Sequence, residues 1–274
     1  MIREINTGEE ITILDKDSTK GLGELTFCHP KGTFALTPAS HILIDAIIHN
    51  QDLIHGTGID WGSGVGCLAI LAAKIKSVSK IYGLEISKDN INIARKNAAI
   101  NDVSDKVCFM LSDSYDPYDN EEKHILGKSR GKIDFILANP PSSEGDDGFE
   151  FRRIVLKGAK DFLCKNGIVF LNISFQYGTK RVEELYKTIE GFSYMGVAAS
   201  TDCVPFDLNR QDLLECLKIY AHEELKGGTE YTFFSDSNCD PKEYINVQEV
   251  LNLYYKSGKS PLTKWQTHTF KYTG

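Results

Sequence analysis

The sequence has no apolar run long enough to cross a bilayer, and its opening MIREINTGEE is already charged. The expectation is a cytoplasmic protein with no membrane partner. It also lacks a basic excess: 38 acidic residues stand against 31 basic, a net charge of −7, so the molecule as a whole repels a polyphosphate. Nucleic-acid contact would need a local basic patch. The seven cysteines, Cys28, Cys67, Cys108, Cys164, Cys203, Cys216 and Cys239, form no CxxC pair, which fits neither a disulfide framework nor a zinc cluster. They read as reduced, mostly packing residues. His29, His41, His49, His55, His124, His222 and His268 show no metal-ligand spacing, so no metal is expected. There is no GxSxG, Walker loop or carboxylate pair to suggest hydrolysis or phosphoryl transfer, and no internal repeat.

What is present is the composition of a folded chain, 41% hydrophobic and 25% charged over 274 residues, enough for one main domain. Residues 1–36 alternate short polar and apolar stretches broken by Gly21, Gly23 and Gly32, which predicts a β-hairpin flank. Ile42, Leu43, Ala46 and Ile47 fall at helical spacing after Thr37-Pro38. Then TGIDW, KIYGLEI, KVCFMLS, KIDFILA and GIVFLNIS read as strands, with helical patterns between most of them. Strand alternating with helix predicts a parallel sheet covered on both faces, an α/β core over 37–200. Residues 115–132 are polar and glycine-containing and read as a mobile loop or lid. Residues 201–274 lose the alternation and read as an α+β addition packed on the core, with a helix in RQDLLECLKIYAHEEL, a strand in TEYTFF, a helix in YINVQEVLNLYY and a last strand in KWQTHTFKY. From Val250 onward lysines and aromatics interleave without an acid. A packed β edge with solvated lysines accounts for this better than a nucleic-acid surface does.

The chemistry sits at strand ends. In IDWGSGVGCLAI, Asp60 closes a strand and Gly62, Gly64 and Gly66 follow at every second position before a helix. Glycines there permit positive φ and let a ligand lie on the backbone. Such a turn also holds a dinucleotide pyrophosphate, but the pattern is DxGxGxG, and a carboxylate ahead of the glycines welcomes a cationic amino group and repels a pyrophosphate. That favours S-adenosylmethionine. Glu85 ends the next strand, where ribose hydroxyls can donate to it, and Asp113 ends the third, where an adenine amine can. The fourth strand ends in ANPPS. Asn139 offers a side-chain carbonyl and the next residue a backbone carbonyl, while Pro140-Pro141 fixes the turn and removes two competing N–H donors. Two converging acceptors can hold an amino group with its lone pair turned toward a methyl donor.

DWGSGVG, Glu85, Asp113 and ANPPS together resemble the class I methyltransferases, in the branch carrying the NPPY-type motif, over roughly residues 33–175. DDGFEFRRIVLKGAKDFLCKNGIVFLNIS resembles the stretch that follows NPPY in HemK-type protein-glutamine methyltransferases, and GTFALTP a motif of adenine-amine methyltransferases. The resemblance implies a Rossmann-like, doubly wound, mostly parallel seven-stranded sheet and S-adenosyl-L-methionine as cofactor. It implies Asp60, Gly62, Gly64, Gly66, Glu85 and Ile86 at the cofactor, Asp113 and Ser114 by its adenine, and Thr37 and Pro38 over its amino-acid end. Asn139, Pro140 and Pro141 would form the catalytic turn, with Asn139 also bordering the cofactor. The sequence departs at Ser142, where the motif has an aromatic that stacks on a flat target. Phe149, Phe151 or Phe34 would have to supply that face, or the target is not flat. Where the HemK type carries a helical amino-terminal domain, the expectation here is a short hairpin-like flank, with the carboxyl-terminal addition of residues 201–274 in that domain's place.

The reading is an N-methyltransferase acting on an amino or amide nitrogen, with a protein glutamine first, then a nucleic-acid amine or a small molecule; the acceptor itself stays open. A cofactor-binding protein without turnover is the alternative that Ser142 raises. An NAD-dependent oxidoreductase would rest on the glycine loop and Glu85 alone.

Overall fold

A computed structural model describes residues 10–33, 36, 38–142, 147–235, 239 and 243–274. Strands β1 (Ile11–Leu14) and β2 (Leu25–Cys28) form the antiparallel amino-terminal hairpin. Helix α1 (Pro38–His49) follows, and then the regular core: β3 (Gly56–Trp61), α2 (Cys67–Ala73), β4 (Val78–Glu85), α3 (Lys88–Ile100) and β5 (Val107–Asp113). Next come β6 (Asp116–Pro117), α4 (Asn120–Gly127), β7 (Ile133–Ala138), α5 (Glu150–Phe162), β8 (Leu163–Asn172), α6 (Gly178–Thr188) and β9 (Phe192–Ser200). The remainder holds β10 (Val204–Pro205), α7 (Gln211–Leu225), β11 (Phe233–Phe234), β12 (Tyr244–Ile245), α8 (Val247–Ser257), β13 (Leu262–Thr263) and β14 (Gln266–Tyr272).

The central sheet runs β6-β5-β4-β3-β7-β8-β14-β9, seven full strands and the two-residue β6. Neighbours from β5 to β8 pair in parallel, whereas β14 runs against both β8 and β9. The strands bury both faces, and their residues sort by period two. Ile136, Val169 and Leu171 join the cluster that holds Val155 and Leu156 of α5 and Leu185 of α6. Phe135, Leu137, Ile168 and Phe170 join the one that holds α1, α2 and α3. The hairpin is tied to that second layer by two asparagines one turn apart on α3: Asn97 and Asn101 each pair with the backbone of β2 through both amide atoms. Phe27 lies fully buried beneath it, a contribution of about 1.5–3 kcal/mol.

Three expectations need correction. Residues 115–132 are not a loop: Asp119 accepts from the N–H groups of Glu121 and Glu122, acids fill the first turn of α4, and Leu126 anchors the helix in the core. A surface helix with one apolar anchor has too little periodicity to show in composition. Second, the carboxyl-terminal region is not laid onto a finished core. Its last strand, β14, is inserted in the sheet, pairing Thr269 with Phe170 on one side and Gly196 on the other, and β9, which no sequence pattern announced, depends on it. Residues 201–265 leave and re-enter where Gln266 pairs with Ser200, the same end as Asn172, and build a small sheet β10-β13-β11-β12 with α7 and α8. TEYTFF contributes only the two residues of β11 to it. Third, Cys203 and Cys239 form a disulfide with Cα atoms 6.5 Å apart. The two are 36 residues apart and meet only through tertiary packing, which no local spacing announces. Among the described residues, no helix is long and apolar enough to cross a membrane.

Candidate active site

Strand order reverses between β3 and β7, and their register sets Trp61 beside both Leu84 and Ala138. The glycine loop after β3, Glu85 at the end of β4, Asp113 at the end of β5 and the NPP turn after β7 therefore line one edge of the sheet. In open α/β sheets that crevice is where ligands bind.

Gly62, Gly64 and Gly66 all have positive φ, +69°, +53° and +88°. Their reasons differ. Gly62 is exposed and a side chain there would meet open space, whereas a Cβ on Gly66 would lie 2.7 Å from the Phe109 ring. Gly66 is a packing glycine at the start of α2, and Gly64 is buried with its N–H given to Glu85 Oε2 at 2.8 Å. Gly66 cannot cap α2 with a side chain, and Asp60 substitutes for it: Oδ2 accepts from Ala69 N at 3.0 Å. Its other oxygen, Oδ1, is buried without a hydrogen-bond partner, as is Ser63 Oγ. Burial, with a smaller push from Glu85, raises the Asp60 carboxyl to about 7. An unpaired buried carboxylate oxygen beside positive-φ glycines suits a cationic amino group.

Glu85 does more than the sequence suggested. Oε2 takes the Gly64 N–H, and Oε1 takes Ser87 N at 2.8 Å and Asn90 Nδ2 at 3.3 Å. Three of its roughly four lone-pair directions are occupied, so the side chain that would meet a ribose also pins the glycine loop. Ile86 beside it is 50% exposed and leaves an apolar surface next to Glu85. Asp113 is exposed. Ser114 sits at φ +55° and its Oγ accepts from Trp61 Nε1 at 2.9 Å, tying the ends of β3 and β5 together across β4.

At the NPP turn Asn139 is partly exposed and Pro140 buried. Asn139 Oδ1 accepts from Asn172 Nδ2 at 2.8 Å, and its Nδ2 donates to Ser40 Oγ at 3.4 Å. Arg152, 4% exposed, donates to the carbonyls of Pro140, Pro141, Gly148 and Asn172 and lies over the Tyr177 ring at 4.8 Å. A guanidinium thus holds the whole turn from behind. Sequence reasoning passed over both residues. The signal for Arg152 was its place on the apolar stripe of α5 with Val155, Leu156 and Ala159; for Asn172 it was a polar residue closing a buried strand.

Ser142 Oγ pairs with Tyr177 OH at 3.0 Å, and Tyr177 is linked to Tyr220 of α7 at 3.1 Å. Phe149 is 1% exposed and packed edge-on against Tyr177, so it cannot offer a face to a target. Its sequence neighbour Phe151 stands 6.3 Å from Trp61 and is only partly buried. Thr37 and Phe34 lie outside the described residues, as does the Pro38 side chain.

The profile of the methyltransferase small domain matches residues 24–195. The chain belongs to the methyltransferase small domain family. Within it, the chain is 25% identical over 182 residues to the release factor glutamine methyltransferase of Thermodesulfovibrio yellowstonii, covering 61% of this chain and 64% of that one. It is 27% identical over 184 residues to the bifunctional methyltransferase of Rickettsia felis, covering 56% and 32%. The chain thus spans less than two thirds of the length of these curated relatives. Among solved structures, it shares a fold with the T. thermophilus 16S rRNA N2 G1207 methyltransferase, which was solved with AdoMet and guanosine, at a TM-score of 0.52 and 22% identity over 67% of this chain and 46% of that one. The M. jannaschii tRNA m1G37 methyltransferase fits at 0.51 and 12% identity, over 97% and 58%.

Proposed function

We propose that this methyltransferase small domain protein transfers a methyl group from S-adenosylmethionine to an amino or amide nitrogen, with a protein glutamine as the first acceptor to test. The observation that carries the reading is the pairing, along one sheet edge, of an unpartnered buried Asp60 oxygen with two carbonyls of the NPP turn. In this reading Asp60 Oδ1 receives the cofactor's ammonium, and the Gly62–Gly66 backbone lies against its amino-acid portion. Glu85 offers its remaining lone pair to the ribose, Ile86 flanks the adenine, and Asp113 and Ser114 border the ring. Thr37 and Pro38 remain assigned to the amino-acid end on the sequence resemblance alone.

When bound, the cofactor supplies an electrophilic methyl on a sulfonium. The chain's part is to hold the nitrogen. Asn139 Oδ1 and the Pro140 carbonyl each have a second lone pair beyond the one given to Asn172 or Arg152, and those two lone pairs accept the protons of the acceptor amine. Its own lone pair is then directed at the methyl, and rate follows from positioning. The similarity to release factor glutamine methyltransferases supports a glutamine acceptor, and the net charge of −7 weighs against a polyphosphate. The test has two arms: calorimetric titration with S-adenosylhomocysteine, then label transfer from methyl-tritiated cofactor to purified unmethylated release factor. Binding with label on the release factor supports the reading. Binding with no label on release factor, nucleic acid or small-molecule fractions would instead favour a cofactor-binding protein without turnover, and binding of NAD in the first arm would revive an oxidoreductase.

A further inference from the structure

Asn172 is buried, 4% exposed, and every atom of its amide is engaged. Nδ2 donates to the Ala39 carbonyl at the start of α1 and to Asn139 Oδ1, and Oδ1 accepts from Thr267 Oγ1 of β14 at 2.5 Å. A backbone carbonyl can only accept, so the Ala39 contact fixes which end of the Asn172 amide is the NH2. The atom of Asn139 that faces this NH2 must then be its oxygen. With the Asn139 amide turned the other way, two NH2 groups would meet and a donor would face the incoming amine.

We infer that Asn172 is the positioning residue of the NPP turn: locked by Thr267 and Ala39, it sets the Asn139 amide with its carbonyl toward the acceptor nitrogen. In this assignment Asn172 and Thr267 act through Asn139. Thr267 is itself fully buried and adjoins Asn172 in the β8–β14 pairing, so the orientation of the turn is transmitted from the last strand of the sheet. Apart from Asn172, the contact of Asn139 among the described residues is a long one to Ser40, whose hydroxyl can donate or accept and so does not distinguish the two ends of the amide.

The inference rests on the proposed function, and a ligand test separates the two. Sinefungin carries an amine on carbon where S-adenosylmethionine carries its methyl on sulfur, so it presents a donor to Asn139 Oδ1 and the Pro140 carbonyl; S-adenosylhomocysteine presents none. Calorimetry on the full chain gives the ratio of the two dissociation constants. Asn172→Leu, close in volume and without a donor, should leave S-adenosylhomocysteine within about threefold and shift the ratio against sinefungin by about tenfold or more, the scale of a lost charge-assisted hydrogen bond. Thr267→Val should shift it the same way by about threefold, and Thr267→Ser, which restores the hydroxyl, should return it to within about twofold of wild type. Should Asn172→Leu fail to fold, the two Thr267 variants decide. Both ligands binding with the ratio unmoved in the variants overturns the role of Asn172 alone. A wild-type chain that binds neither ligand overturns the methyltransferase reading and this assignment together.

Discussion

The two halves of the site are built on opposite principles. On the glycine-loop side, buried polar atoms are left without a protein partner: Asp60 Oδ1 and Ser63 Oγ. On the NPP side, both acceptor oxygens already have protein donors, Asn172 and Arg152, and the turn is held rigidly from beneath. In the proposed reading the first arrangement serves affinity, because an unpaired buried carboxylate gains most from a cation. In the same reading the second serves geometry, because donors from the protein fix where each remaining lone pair points. Binding and rate should therefore respond to different mutations.

The largest effect expected is on the loop. Gly64→Val forces a β-branched residue to φ +53° and crowds the backbone where a ligand would lie, so titration with S-adenosylhomocysteine should show no binding. Binding retained there would erase the contrast. Asn139→Ala should do the reverse, leaving cofactor affinity nearly intact and lowering turnover by roughly a hundredfold or more in the label-transfer assay. Glu85→Ala should weaken cofactor binding by about 1.5–3 kcal/mol, and it should also lower the melting temperature, because Gly64 N and Ser87 N lose their acceptor. A loss of affinity with no loss of stability would mean that the carboxylate serves the ligand alone.

The smallest effect, about tenfold over one pH unit, is a pH dependence. The Asp60 carboxyl is raised to about 7 by burial, and pairing with an ammonium requires its ionised form. Cofactor affinity should then be flat above pH 7 and fall by about tenfold for each pH unit below it. Asp60→Asn should abolish that slope. Folding stability runs the opposite way: a carboxyl whose folded pKa exceeds its unfolded value contributes fully below about pH 4 and loses that contribution as pH rises toward 7. Urea unfolding of the ligand-free wild type and Asp60→Asn at pH 5 and 7 measures the difference.

The parallel core was legible because its strands are apolar runs closed by single polar residues at the carboxyl ends, Asp60, Glu85, Asp113 and Asn139. Local spacing carried that pattern. Residues whose role is to hold others were not legible. Asn172 lies 33 residues from the amide it orients and Arg152 lies 12 from the Pro140 carbonyl it grips, and each looks in isolation like a strand end or a helix face. Phe149 stood among three candidates for the aromatic face because nothing in the chain announces Tyr177 and Arg152 packed over it. The disulfide and β9 were missed for the same reason: both depend on partners far along the chain.

The place of β14 also dictates an order of events during synthesis. Its partner on β8 is 95 residues earlier, and among the described residues β9 has no neighbour in the sheet other than β14. While the ribosome is still making residues 201–265, β3, β4, β5, β7 and β8 can already pair, but β8 presents a bare apolar edge and β9 has nothing to bind. Such late, non-local pairing is slow, and open edges recruit strands from other chains. A nascent chain halted before β14 would carry the glycine loop and the NPP sequence intact, yet it would lack the hydroxyl that locks Asn172 and would be a template for aggregation.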